Sequence, residues 1–120
     1  MTATEIDILE KAEAQLQAFY TDFNSLNKKP NDAISEFKLK LINRVIIQAN
    51  ELLGAEYKPF DEFDADAIPS NSDVVMILGQ YLNCIDKLRS DNAKSYGKAW
   101  YWIVDGIESK IRTKAPKNRI

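Results

Sequence analysis

The residues best placed to do chemistry in this chain are carboxylates. Residues 54–73 carry six of them (Glu56, Asp61, Glu62, Asp64, Asp66 and Asp73) against a single base, Lys58. Hard oxygen ligands at this density suit a divalent cation. A calcium-binding loop, however, needs acids at its first, third and fifth positions, glycine at the sixth and glutamate at the twelfth. Counting from Asp64 puts Ile68 fifth and Pro69 sixth, which breaks the pattern. The segment reads as a solvated acidic loop, and neither metal nor cofactor is expected.

Two short matches suggest a serine hydrolase. Ser35-Glu36-Phe37-Lys38 has Ser-x-x-Lys spacing, and Ser90-Asp91-Asn92 spells the second element of the penicillin-binding signature. No Lys-Thr-Gly follows, and 120 residues are too few for such a fold. The chain has no histidine, which removes the usual base near neutral pH and every Ser-His or Cys-His pair. Its one cysteine, Cys84, can form neither an intrachain disulfide nor a cysteine-based metal cluster and reads as a small core residue. A non-enzymatic protein is expected.

The acidic segment is more informative as a docking element. Tyr57, Phe60 and Phe63 are interleaved with its carboxylates, and Ile68 follows. Leaving large rings in water forgoes ~1.5–3 kcal/mol each, so some fold back as a lid while others serve as anchors. Aromatic anchors rimmed by acids suit a basic protein surface, the charge steering encounter and the rings providing grip. Tyr57, Phe60, Asp61, Glu62, Phe63, Asp64 and Asp66 are the expected partner-binding set. An inhibitor-like or immunity-like module is one form this takes.

Two further surfaces stand out. Residues 99–107, Ala-Trp-Tyr-Trp-Ile-Val-Asp-Gly-Ile, are apolar nearly all round. On a helix with Trp100 and Ile103 inward, Tyr101 and Trp102 would face out and contact a second copy of the chain. The C-terminal bases Lys110, Arg112, Lys114, Lys117 and Arg119 give an alternative reading as a nucleic-acid-associated protein gripping phosphate. Helix-end dipole preference explains the same bases without a partner. The charge is uneven along the chain: residues 86–120 carry nine bases and four acids, although the net charge is −2.

The elements that must position these groups follow from apolar spacing. Leu9, Ala12, Leu16, Phe19, Phe23 and Leu26 alternate steps of three and four, one stripe of a helix over 3–26 capped by Thr2 and Glu5. A second helix over 32–53 carries Ile34, Phe37, Leu41, Val45, Ala49 and Leu52, widened by Ile42, Ile46 and Leu53, with Gly54 as its left-handed cap and Ile47 on the polar side. Asn27, Lys28, Lys29 and Pro30 separate the two. A third helix over 72–90 begins near Ser70 or Ser72 and uses Val74, Leu78, Tyr81, Ile85 and Leu88; the run from Val74 to Leu78 alone also fits a buried strand. Tyr96, Trp100, Ile103, Ile107 and Ile111 give a fourth helix over 92–114, followed by a basic tail at 115–120.

Together these describe a single all-α domain over 1–120, an antiparallel four-helix bundle with one long acidic-aromatic loop between helices 2 and 3. The start, Met1 to Leu9, lacks the basic-then-apolar order of a signal peptide, and no apolar run approaches a membrane span. A cytoplasmic, homo-oligomeric protein is expected.

Overall fold

The computed structural model describes residues 1–25 and 29–117. Three helices come first: α1 (Ala3–Asn24), α2 (Glu36–Tyr57) and α3 (Asn71–Asp91). Three strands follow, β1 (Ala93–Tyr96), β2 (Ala99–Val104) and β3 (Ile107–Thr113), in an antiparallel sheet of order β1-β2-β3.

Local signals account for the helices. Thr2 Oγ1 accepts from the Glu5 N–H at 3.1 Å and Glu5 Oε1 from the Thr2 N–H at 2.9 Å, the reciprocal capping box expected. Ser70 and Asp73 close the same box on α3. In α2 the helical path breaks at Gly54 (φ 67), one turn before the element ends. A side chain at that φ would be strained, so glycine sets the break. The core is the centre of this bundle: Leu9, Leu16, Ile42, Ile46, Leu78, Tyr81 and Ile85 are all fully buried. Val74 to Leu78 is helical, and the whole expected α3 seam is buried. Of the stripe expected for the second helix, Ile34, Val45 and Ala49 are buried, as are the flanking Ile42, Ile46 and Leu53; Leu39 joins them, and Phe37 departs from expectation at 71% exposed. Leu26, Asn27, Lys28 and Arg119 lie outside the described residues.

The fourth helix is overturned: 92–114 is a β-meander, so the fold is α+β and not an all-α four-helix bundle. Two tight turns decide this. Asp105 (φ 50) and Gly106 (φ 80) join Val104 to Ile107 as a two-residue hairpin loop with both central residues left-handed. Gly97 (φ 63) leads the two-residue loop joining Tyr96 to Ala99. Asp-Gly and Gly-first loops match the twist of antiparallel strands. Between them lie Trp, Tyr, Ile and Val, which pack well on a pleated surface and lose side-chain freedom in a helix. The helical spacing of Tyr96, Trp100, Ile103, Ile107 and Ile111 competes with an alternation, Trp100-Trp102-Val104, that suits a strand with one buried face.

The sheet's inner face closes the bundle over the start of α1 and the end of α3. Ile103 N–H donates to the Asn92 carbonyl (2.8 Å) and Asp105 N–H to that of Met1 (3.2 Å). Trp102, expected on an outward face, is 0% exposed and part of the core. Opposite it the β2–β3 register jumps from Tyr101↔Arg112 to Ile103↔Glu108. Ser109 fills the bulge, its hydroxyl donating to the Trp102 carbonyl at 2.6 Å.

Candidate functional site

Two polar constructions stand out. The first is the segment between α2 and α3, which is a strap lying over the groove between those helices. Asn43 and Asn50, seven apart on α2, hold it. The Asn43 amide donates to the Phe63 carbonyl and accepts from the Phe63 N–H, both at 2.9 Å, as a neighbouring strand would. Asn50 Nδ2 donates to the carbonyls of Phe60 (3.0 Å) and Asp61 (2.7 Å). From α3, the Tyr81 hydroxyl lies 2.7 Å from both Asn50 Oδ1 and the Phe60 carbonyl and shares its one proton between them. The polar side of α2 at Asn43 and Asn50 is thus the seat of the strap, while Ile47 between them is exposed.

The aromatics of the strap divide. Phe63 is buried in the core, its ring 5.1 Å from that of Phe60, while Phe60 and Tyr57 are half-buried. Phe63 is an internal anchor, not a free contact. The Tyr57 hydroxyl donates to Asp91 Oδ2 at 2.7 Å. Asp61, Glu62, Asp64 and Asp66 are all exposed. Asp61 pairs with Lys58 at 2.8 Å, and Asp64 Oδ1 accepts from the Asp66 N–H at 2.9 Å. Among the described residues, Glu62, Asp64 and Asp66 have no cationic partner.

Tyr81→Phe should cost about 1–2 kcal/mol in urea unfolding, because the part-buried Asn50 Oδ1 loses its donor and the Phe60 carbonyl keeps only Asn50 Nδ2. The alkaline limb carries a second signature. Burial holds the Tyr81 phenol up at about 12 despite the opposing bond from Asn50, and the Asp91 carboxylate raises Tyr57 to about 12. Both folded values exceed the free value near 10, so the fold favours the neutral phenols. That contribution is complete below pH 10 and disappears as pH rises through 12. Stability measured from pH 9 to 12 should fall less steeply in Tyr81→Phe than in the wild type.

The second construction is a buried ion cluster under the sheet. Arg89, 1% exposed, extends from α3. It donates through Nη2 to Glu13 of α1, through Nη1 to Asp86 (3.4 Å) and through Nε to Thr113 Oγ1 of β3 (2.9 Å). Its guanidinium carbon stands 5.6 Å from the centre of the Trp102 ring. Trp102 Nε1 donates to Glu10 Oε1 at 2.8 Å, Lys114 reaches Glu13 at 3.3 Å, and the Lys117 N–H donates to Asp86 at 2.9 Å. Arg89 lies between Glu13 and Asp86, with exposed Lys114 as a second cation on Glu13, and this pairing is what lets charge sit in the interior.

A cleft of about 610 Å³ opens beside this cluster, between α1 and the sheet. Arg89, Glu13 and Thr113 form its floor; Lys98, Trp100 and Arg112 stand around it. Of the expected phosphate-binding bases, the structure brings Arg112 and Lys114 to this cleft. Lys110 is exposed on β3, and Lys117 lies beyond that strand against Asp86. Tyr101 is half-buried on the face opposite Trp102, in register with Lys94 and Arg112; Arg112 therefore starts on the outer face and lines the cleft from the free edge of β3. The expectation that Tyr101 and Trp102 together face a second copy is therefore corrected: alternation along a strand separates them, and Trp102 faces inward.

The hydrolase matches come apart. Ser35 caps α2, its Oγ accepting from the Lys38 N–H at 3.2 Å, near the start of α3 where Ala33 pairs with Ser70. Ser90 to Asn92 lie at the other end of α3, roughly 30 Å away by helical rise. Burial raises the Cys84 thiol's pKa, which disfavours a thiolate nucleophile. Among the described residues no group of three or more Cys, Asp or Glu could hold a metal ion, and no helix is long and apolar enough to cross a membrane.

Sequence reasoning missed Arg89, Glu13, Asn43, Asn50, Lys98 and Trp100 as site residues. One signal was present: Glu13 sits in the α1 stripe, four after Leu9 and three before Leu16, where a charge demands a buried partner. The molecule is a three-helix bundle capped by a C-terminal β-meander, with an acidic strap on one flank and a basic cleft under its sheet. Comparison with known proteins gives no match: no family model, curated protein or solved structure aligns significantly with the chain.

Proposed function

We propose that the chain is a non-enzymatic protein–protein interaction module that docks a basic partner on its acidic strap. The observation that carries this reading is the presentation of Glu62, Asp64 and Asp66. All three are exposed and lack a cationic partner among the described residues, on a backbone tied down by Asn43, Asn50 and Tyr81. A segment already ordered before binding loses little conformational freedom on association, which leaves more of the contact energy as affinity. Unpaired carboxylates steer a basic surface and repel other acids. Half-buried Tyr57 and Phe60 and exposed Ile68 give the strap apolar area beside its charge. Inhibition of a basic protein, or immunity against one, is the form of function this supports.

Quantitative affinity capture tests the reading with Glu62→Lys/Asp66→Lys, which reverses two charges that hold no internal bond through their side chains. Wild-type protein should retain a stoichiometric basic partner. The double variant should lose it by at least about tenfold, with thermal stability within roughly 0.5 kcal/mol of wild type. Equal capture by both proteins sinks the proposal.

A further inference from the structure

The cleft between α1 and the sheet is chemically independent of the strap. We propose that it binds a phosphate monoester carried on a planar base, the nucleoside monophosphate class, with Lys98 and Arg112 on the phosphate and Trp100 against the base. Its volume of about 610 Å³ falls within the range of small-molecule sites.

The charges are arranged for an anion. Lys11, Lys58, Lys87, Lys94 and Lys114 each have a carboxylate within ion-pair distance. Lys98 and Arg112, both at the cleft, have none among the described residues, as is true also of Lys29, Lys38, Lys40, Arg44, Lys110 and Lys117 elsewhere; what marks the cleft is that two such bases line it together. Glu13 is neutralised by Arg89 and Lys114, so it does not cancel them. Thr113 adds a donor at the floor. It is 8% exposed, its oxygen accepts from Arg89 Nε, and its own hydroxyl proton has no acceptor among the described residues. A hydroxyl held in that way can donate only to something that enters the cleft.

Trp100 supplies the second half of the recognition. It shares the inner sheet face with Trp102, but where Trp102 is covered by α1, Trp100 is half-buried and remains on the cleft wall. Ala99 and Ala115, both small, line the cavity with it. A nucleobase stacks on such a ring without needing a particular sequence. Glu10 fixes the orientation: one oxygen holds the Trp102 indole, and its charge repels phosphate while its other oxygen can accept from a sugar hydroxyl or an exocyclic amine. The phosphate accordingly goes to the Lys98–Arg112 side and the sugar towards α1.

The chain contains two tryptophans, so the part of a fluorescence change that is lost in Trp100→Phe reports Trp100 and the part that remains reports the buried Trp102. At low ionic strength the full-length protein is titrated with adenosine monophosphate, inorganic phosphate and a 5′-phosphorylated oligothymidylate. Saturable quenching by the nucleotide below about 1 mM is expected, with phosphate at least about tenfold weaker. Lys98→Ala/Arg112→Ala, which removes no internal bond, should weaken the nucleotide by about tenfold or more while circular dichroism stays unchanged. Trp100→Leu, followed by calorimetry, should bring the nucleotide down to the affinity of phosphate. An oligothymidylate bound more than about tenfold more tightly than the mononucleotide assigns the cleft to the end of a strand; otherwise the ligand is the free nucleotide. Absence of saturation by either nucleotide probe overturns the proposal, as does unchanged affinity in the double variant. Equal binding of phosphate and nucleotide overturns the role of Trp100.

Discussion

Arg89→Ala should lower the free energy of unfolding by about 3–5 kcal/mol, the largest loss expected from any single charged residue in the chain. The side chain is 1% exposed and is the point where α1, α3 and β3 meet. Removing it leaves the carboxylates of Glu13 and Asp86, themselves 8% and 6% exposed, with only Lys114 on Glu13 and the Lys117 N–H on Asp86. The bare cost of a buried, unpaired charge exceeds the net worth of the pair, which is why deletion of one member is so damaging. A domain of this size has about 5–15 kcal/mol in total, so a substantial fraction would be unfolded on warming. Arg89→Lys separates charge from shape: it keeps the cation but cannot serve Glu13, Asp86 and Thr113 at once, and should fall between wild type and alanine. Urea unfolding midpoints measure all three proteins. A loss below about 1 kcal/mol for Arg89→Ala would mean that water reaches the cluster and that the sheet does not seal it.

Trp102→Ala should cost a comparable amount, about 3–5 kcal/mol, by a different mechanism. The indole is the largest fully buried side chain and the only sheet residue with no exposed surface. Its truncation opens a cavity under β2, strands Glu10 without its 2.8 Å donor and removes the ring face 5.6 Å from Arg89. Trp102→Phe retains most of the volume and should lose roughly half as much or less. The two substitutions are coupled. Arg89 and Trp102 are in contact, so the double variant should be less unstable than the two separate losses predict. Additive losses would show that the sheet and the ion cluster are energetically separate. Trp102→Glu places a charge in this interior and unfolds the chain instead of dissociating copies of it.

The three helices were legible because their signals are local. Thr2 with Glu5, and Ser70 with Asp73, are spaced to cap their own helices, and the apolar steps along α1 and α3 persist for several turns. The strap was legible only as a non-helical acidic segment with aromatics. Its attachment depends on Asn43 and Asn50, which from sequence belong to a solvated face, meeting Phe60 and Phe63 across a fold. The C-terminal third misled because a run rich in Trp, Ile and Val satisfies two periods at once. Period 3.6 connects Tyr96, Trp100, Ile103, Ile107 and Ile111, yet Tyr96 and Ile107 are 73% and 72% exposed. The Asp105-Gly106 pair carried the decisive information, since a two-residue loop with positive φ ends any helix and begins a hairpin.

Composition and order alone settle that no histidine-based catalysis is available, that the middle is acidic and the end basic, and that three amphipathic helices open the chain. Those properties reside in single residues or in neighbours a few positions apart. Tertiary structure alone decides that Glu13 meets Arg89 seventy-six residues later, that Trp102 turns inward, and that Lys98, Trp100 and Arg112 surround one cleft. Such pairings are chosen by which apolar faces bury together, and burial belongs to the whole chain at once.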